Sequence, residues 1–311
     1  MQPERQVLTI IIVNWNTREL LRECLASILR AGPALLVTVV DNGSTDGSAE
    51  MVLTEFESVR LIRNNTNRGF AAANNQALRG ATTEYCMLLN SDTVVVGDAL
   101  AALLRHMDQN PSTGCCGPRL LNTDGTLQPS GHSYPTVGSA LTELLPLPRV
   151  LRRVMRGRLE RRDYSQACSV DEVSGAAMLV RLTAVEAVGL LDEGFFFLGE
   201  DIDWCWRMTR AGWRVDYVPE AQIIHHGGQS TRPGDAAWLQ APRAYYRLFR
   251  KHRCPWEANL LRIGMSAIIL LHMLRVSAIL ALSGGPGKIG ASVSMHLGTI
   301  RWLWTPSESV P

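Results

Sequence analysis

The chain has 311 residues, 46% of them hydrophobic and 19% charged, with a net charge of +2. That length holds one large α/β domain with an appendage, or two domains, and the composition excludes a disordered chain. The charge is unevenly spread: Arg149–Arg162 and Arg243–Arg301 are both basic, which points to an anionic surface of lipid headgroups or phosphates. No nucleic-acid partner is expected.

Leu8–Val13 is a continuous apolar, β-branched run, the pattern of a buried parallel strand. Asn16 then opens N-T-R-E, the spacing of a capping box, and Leu20 to Leu29 follow at helical spacing until Gly32. Leu35–Val40 reads as a second buried strand closed by Asp41. A helix over about 48–57, a strand at Val59–Ile62, a helix over about 71–79 and a strand at Tyr85–Leu89 continue the alternation. Strand–helix alternation with short connections predicts a parallel sheet with helices on both faces.

Beyond Pro111 the pattern changes. Cys115–Leu121 and the following N-T-D-G-T-L-Q suggest a strand and a hairpin turn. No strand alternation is visible over about 129–167, where apolar residues between the arginines of 147–162 predict a basic amphipathic helix. Glu172–Arg181 returns to a strand, Leu198–Ala211 reads as a helix and Trp213–Val218 as a last strand. Leu260–Leu282 and Ile289–Trp304 are apolar stretches separated by Gly284–Gly287, an arrangement that favours an in-plane or re-entrant helical hairpin over a clean span. Gly285–Gly290 matches G-x-G-x-x-G by chance, since no βαβ unit follows it.

The seven cysteines (24, 86, 115, 116, 168, 205 and 254) form no C-x-x-C pair and read as small buried hydrophobes. The polar start and short first apolar run do not match a signal peptide, so the α/β part is expected at the cytoplasmic face of the plasma membrane.

Ligands of such sheets bind outside the carboxyl ends of the strands. Polar clusters stand there after three strands: Asn14 and Asn16, Asp41 and Asn42, and Asn90 to Asp92. Together with V-N-W-N-T (13–17), V-D-N-G-S-T-D-G-S (40–48), N-R-G-F-A-A-A-N-N (67–75), L-L-N-S-D-T (88–93), G-E-D-I-D-W-C-W-R (199–207) and I-H-H-G-G-Q-S-T (224–231), the chain resembles family 2 glycosyltransferases, nearest to their rhamnosyltransferase-like branch. The resemblance covers about residues 7–250. It implies a single Rossmann-like nucleotide-diphospho-sugar transferase domain of A-type fold with a mostly parallel sheet, over 1–256. The nucleotide-binding half is then about 1–110, the acceptor half about 111–256, and a hydrophobic helical, membrane-associated tail covers 257–311.

The activity so implied is inverting transfer of one sugar from a nucleotide-diphosphate sugar, rhamnose from a thymidine donor being the choice by resemblance alone. A divalent cation, Mg²⁺ or Mn²⁺, serves as cofactor, and the acceptor is a glycan or a lipid-linked sugar. Asp41 matches the aspartate that accepts from a pyrimidine N3–H. Asn14, Trp15, Arg68 and Gly69 fall where the family holds the nucleotide, the glycine permitting close approach. Asn90 and Asp92 stand in the place of the D-x-D acids, with Asp92 as metal ligand. Asp201 matches the general base, Glu200 and Asp203 orient it or the acceptor, and Trp204 and Trp206 would floor the acceptor pocket. His225, with His226 as the other candidate, matches a histidine near the metal. The alternatives are a processive polysaccharide synthase, which would carry Q-x-x-R-W where this chain has Gln240-Ala-Pro-Arg243-Ala244, and a non-catalytic sugar-nucleotide-binding membrane protein. The basic helix and tail are expected on an anionic membrane surface, or else in a homodimer interface.

Overall fold

A computed structural model of the chain describes residues 7–30, 35–145, 164–227, 240–282 and 289–305. The opening β-branched run is β1 (Leu8–Asn14), paired in parallel with β2 (Leu35–Asp41) on one side and β4 (Tyr85–Asn90) on the other. β3 (Arg60–Arg63) lies parallel beyond β2. β11 (Ala177–Arg181) then runs antiparallel between β4 and β6 (Thr113–Leu121). β12 (Arg214–His225) is parallel to β6, and its far half pairs antiparallel with β5 (Thr93–Val96). The resulting order is β3-β2-β1-β4-β11-β6-β12-β5. Because β11 opposes both β4 and β6, the strands β1, β2, β4, β6 and β12 all present their carboxyl ends on one side.

Alternate residues of β1 enter different cores, as the pleat requires. Leu8, Ile10 and Ile12 meet α1 (Arg18–Leu29), α2 (Ser48–Glu55) and α4 (Ala99–Gln109) through residues such as Leu25, Met51 and Leu103. Ile11 instead joins the cluster of α3 (Phe70–Leu78), α6 (Leu182–Val188) and α7 (Glu200–Arg210), with Ala73, Val185 and Trp204. Full burial of one such aliphatic side chain stabilises by about 1.5–3 kcal/mol, so the sheet is held from both faces.

Several boundaries depart from the sequence expectation. Asn16 does not cap α1: its φ is 54°, and its Oδ1 accepts from Thr45 N at 2.8 Å. Thr17 takes the cap position, while Glu19 pairs with Arg22 instead of reaching back. The strand expected over Glu172–Arg181 is broken at Ser174–Ala176 into β10 (Glu172–Val173) and β11. A short strand also occurs in the stretch read as strandless, at β8 (Gly131–His132), and another, β9 (Cys168–Ser169), lies just past it. All seven cysteines are free.

A second compact unit gathers described residues of 135–161 and 231–311. It contains α5 (Val137–Leu144), α8 (Gln240–His252), α9 (Pro255–Leu282) and α10 (Ile289–Trp304). Their shared core includes Leu144, Phe249, Leu261, Met265 and Leu303. Gly264 admits Leu141 so closely that an added Cβ would lie 2.8 Å from its methyl carbons. The two units thus divide the chain elsewhere than at residue 256. Among the described residues α9 is the one helix long and apolar enough to cross a membrane, and Trp256, Leu260, Ile263, Leu271, Leu274 and Leu282 on it are exposed. The basic helix expected over 147–162 and the hinge at Gly284–Gly287 lie outside the described residues.

Candidate functional site

The carboxyl ends of β1 and β2 are tied together by side chains. Asn14, fully buried, donates from Nδ2 to Asp41 Oδ1 at 3.3 Å and to Ser44 Oγ at 3.2 Å, and Ser44 N donates to Asp41 Oδ2 at 3.2 Å. Each carboxylate oxygen of Asp41 therefore has one donor and keeps a second lone pair for a ligand N–H. Thr17 Oγ1 donates to Asn14 Oδ1 at 2.7 Å and meets Ser91 Oγ at 2.8 Å, which links this corner to the end of β4. Trp15 is half-buried beside it.

Three asparagines that the sequence reading did not single out for a role fix the loop before α3. Asn42 Nδ2 donates to Asn67 Oδ1 (2.9 Å) and Gly69 O (3.2 Å), while its Oδ1 accepts from Asn64 Nδ2 (3.1 Å) and Arg68 N (3.0 Å). Arg68 itself is exposed. Gly69, at φ 82°, is needed for a different contact than expected: an added Cβ would stand 2.6 Å from Phe196 O. Its close approach is thus to the loop that leads into α7, and Phe70 N donates to the same oxygen at 3.0 Å.

At the end of β4, Asp92 is 4% exposed and its Oδ1 lies 3.3 Å from His225 Nε2. Asn90 Nδ2 approaches the same nitrogen at 3.4 Å. β12 continues seven residues past the end read from the sequence, through a bulge between Val218 and Gln222, and so delivers His225 opposite Thr93. The side chain of His226 turns away, 3.9 Å from Glu23, although its N–H donates to Asp92 O. Of the two histidines, His225 is the one that meets Asp92. No cluster of three or more His, Cys, Asp or Glu side chains suited to a metal occurs among the described residues. The pair Asp92–His225 with Asn90 is a partial donor set, which suits a hard cation that fills its remaining positions with water and diphosphate oxygens.

α7 begins at Glu200, two residues later than its sequence pattern, because Leu198 (φ 71°) and Gly199 (φ 91°) are both left-handed. That turn aims the helix N-terminus. Asp201 Oδ2 accepts from Gly175 N at 2.9 Å, and the next residue, Ala176, accepts through its carbonyl from Asn90 N at 2.9 Å. The carboxylate of α7 and the Asn90–Asp92 corner are therefore fastened to one short segment before β11. Glu200 is buried with Oε2 unpartnered, and burial first, then the Asp201 charge, pushes its carboxyl up to about 8.

Residues 9–189 match the model of glycosyl transferase family 2. The chain is also 30% identical over 270 residues to an N-acetylglucosaminyl-diphospho-decaprenol L-rhamnosyltransferase of Mycobacterium tuberculosis, across 82% of this chain and 88% of that protein. The chain belongs to the family 2 glycosyltransferases. Among solved structures, this glycosyltransferase is similar in fold to the mannosyltransferase PcManGT of Pyrobaculum calidifontis with GDP-Man and Mn²⁺ (TM-score 0.56, 19% identity, 95% of this chain and 87% of that one). A second fold likeness is GalNAc-T7 with UDP, GalNAc and Mn²⁺ (TM-score 0.55, 15% identity, 80% of this chain and 50% of that one). The A-type fold with a mostly parallel sheet is thereby the fold of this enzyme.

The expected acceptor residues of the glycosyltransferase are corrected by their surroundings. Asp203 is fully buried and bound to Arg207 at 2.8 Å, whose other nitrogens donate to Val188 O and Leu190 O. Trp204 is also fully buried, its indole N–H donating to Gly189 O at 2.9 Å. Both anchor α7 to the loop after α6 and neither can touch an acceptor. Trp206 is 8% exposed and stacks on Tyr134 with ring centroids 4.0 Å apart, so it packs the helix too. The apolar residues that do face outward near Asp201 are Phe196, Phe197 and Leu198. In sequence they merge with buried Phe195 into one run, and only the positive φ at Leu198 and the Gly69 contact separate them.

Proposed function

We propose that this glycosyltransferase moves a single sugar, with inversion, from a pyrimidine nucleotide-diphosphate donor to a hydroxyl of a lipid-linked sugar at a membrane surface. The observation that carries the reading is the convergence of Asp41, the Asp92–His225 pair and Asp201 at the carboxyl ends of β2, β4 and β12 and the start of α7. Asp41 accepts the N3–H of the base, with Asn14 and Ser44 fixing its orientation. Asp92 and His225 would hold a divalent cation, as Mn²⁺ accompanies GDP-Man in one structural neighbour and UDP with GalNAc in the other, and the cation would neutralise charge developing on the departing diphosphate.

Asp201 takes the proton of the acceptor hydroxyl as its oxygen bonds to the sugar C1 and the bond from C1 to the diphosphate oxygen breaks. Gly175 N holds Oδ2 in place and leaves the carboxylate a lone pair for that proton. The lipid-linked acceptor is supported by the relative from Mycobacterium tuberculosis, whose name specifies an N-acetylglucosaminyl-diphospho-decaprenol, and rhamnose is the matching donor sugar. The exposed apolar face of α9 suits the same membrane placement.

Incubation with a panel of uridine and thymidine diphosphate sugars and a membrane lipid extract, read by mass spectrometry, tests the reading. The expected product is a lipid-linked sugar heavier by one deoxyhexose. Repeated addition would favour a processive synthase, and nucleotide binding without product from any donor would favour a non-catalytic protein.

A further inference from the structure

The donor set around Asp92 contains an imidazole whose proton position is fixed by a residue from a separate hairpin. β7 (Leu127–Gln128) pairs with the end of β6 across the turn Asn122–Thr126 and brings Gln128 beside His225. Gln128 Nε2 lies 3.0 Å from Asn122 Oδ1 and 3.5 Å from the carbonyl oxygen of His225. A backbone carbonyl can only accept, so this end of the side chain is the amide nitrogen. The other end is then Oε1, and it stands 2.6 Å from His225 Nδ1.

An oxygen at that distance obliges Nδ1 to carry the proton. The neutral ring consequently has a bare Nε2, the nitrogen that faces Asp92 Oδ1 at 3.3 Å and Asn90 Nδ2 at 3.4 Å. We infer that Gln128 is a positioning residue for the cation site: it selects the tautomer in which His225 can ligate and holds the ring plane toward Asp92. The inference rests on the metal-dependent reading given above. Without this acceptor, the proton is free to move to Nε2, where it would donate to Asp92 and close the ligating nitrogen. Outer partners of metal-binding histidines commonly contribute about 10–100-fold in affinity through this effect.

The test uses the full chain and three variants, Gln128→Leu, Gln128→Glu and His225→Ala. Glutamate keeps an acceptor for Nδ1–H, and leucine removes it. Nitrogen-15 NMR of the metal-free protein at pH 8.5 reads the His225 tautomer, and titration of Mn²⁺ into the protein with thymidine diphosphate, followed by electron paramagnetic resonance, reads the affinity. Thermal melting without metal checks that each variant folds, with Gln128→Met in reserve should leucine prevent folding. The parent and Gln128→Glu should show Nδ1–H, and Gln128→Leu should shift toward Nε2–H and bind Mn²⁺ about 10–100-fold more weakly. An Nε2–H tautomer in the parent would overturn the inference. So would Gln128→Leu affinity within twofold of the parent, or Gln128→Glu losing as much as Gln128→Leu. If His225→Ala retains full Mn²⁺ affinity, the metal reading of His225 fails and the inference with it. If His225 proves necessary and Gln128→Leu changes nothing, the inference alone fails.

Discussion

Asp201 is half-buried and accepts from Gly175 N, whereas Glu200, one residue earlier, is enclosed with an oxygen that has no partner. Their roles separate on that ground. Asp201→Asn keeps the hydrogen bond from Gly175 possible but removes the proton acceptor. Transfer should fall by about 10²–10⁴ while donor affinity, measured by calorimetry, stays within a few-fold. Near-parent turnover would take the base role from Asp201. Glu200 makes a different prediction. Its carboxyl ionises at about 8 in the folded chain against 4.5 in the unfolded one, so the folded state binds the extra proton. The stability this contributes is complete below pH 4.5 and is lost as pH rises through about 8, on the order of 5 kcal/mol in all. Glu200→Gln mimics the protonated form at every pH. Its melting temperature should therefore gain on the parent's as pH rises from 5 to 8, and a constant difference across that range would show that Glu200 is not held protonated.

β12 carries a polar assembly near each of its ends, and the two had very different visibility in the sequence. Near its start, Asp216 is 1% exposed, and burial alone would raise its carboxyl. Hydrogen bonds with His106 (3.1 Å), Thr113 (2.6 Å) and Ser169 (2.8 Å), with the Arg214 charge, outweigh burial and hold it well below the usual carboxylate range. Stability from a depressed carboxyl is present above its unfolded value near 3.8 and is lost as pH falls below it. Asp216→Asn should cost roughly 3 kcal/mol at pH 7 and flatten the acid limb of a urea-unfolding series; an unchanged midpoint at pH 7 would contradict this account. Apart from Arg214, its partners His106, Thr113 and Ser169 are all distant from Asp216 in sequence, so no local pattern could announce the assembly.

The far end of β12 was legible as a motif and illegible as a strand. The bulge between Val218 and Gln222 breaks the alternation that marks strands, so His225 read as a residue after a short apolar run. The β1–β4 region was readable almost to the residue because the buried parallel strands β1, β2 and β4 are continuous apolar runs, each ending on a polar residue, Asn14, Asp41 or Asn90. The acid helix was readable as a charged N-terminus, but not the division of labour along it. Asp203 meets Arg207 as an i,i+4 pair within the helix, whereas the contacts of Asp201 with Gly175 and of Trp204 with Gly189 depend on how the left-handed turn at Leu198–Gly199 aims the helix. Gly69 carries the same lesson: the sequence marks a close approach without saying to what.

The chain pairs a family 2 glycosyltransferase fold with a helical unit whose longest helix leaves large apolar side chains uncovered. Leu271, Leu274 and Leu282 are 61%, 62% and 88% exposed, and Trp256 at the other end is 65% exposed. Such a run marks an interaction surface, and with the exposed Arg250 and Lys251 in the last turn of α8 it would suit a bilayer with anionic headgroups. Truncation is a poor probe of this idea, since α9 also supplies Leu261, Met265 and Ile269 to the core it shares with α5 and α8. Substitution on the exposed side avoids that fault. Leu271→Asn with Leu274→Asn removes about 3–6 kcal/mol of apolar burial in lipid without opening the core. The parent should float with vesicles containing phosphatidylglycerol, less so with neutral ones and less at high salt, and the double variant should float at least 100-fold more weakly at an unchanged melting temperature. A homodimer covering the same leucines gives the opposite pattern: a parent that ignores both vesicle types and sediments as a dimer, and a double variant that sediments as a monomer. That outcome would move the exposed face of α9 from the membrane to a second copy of the chain, and the lipid-linked acceptor would then have to reach Asp201 without help from this helix.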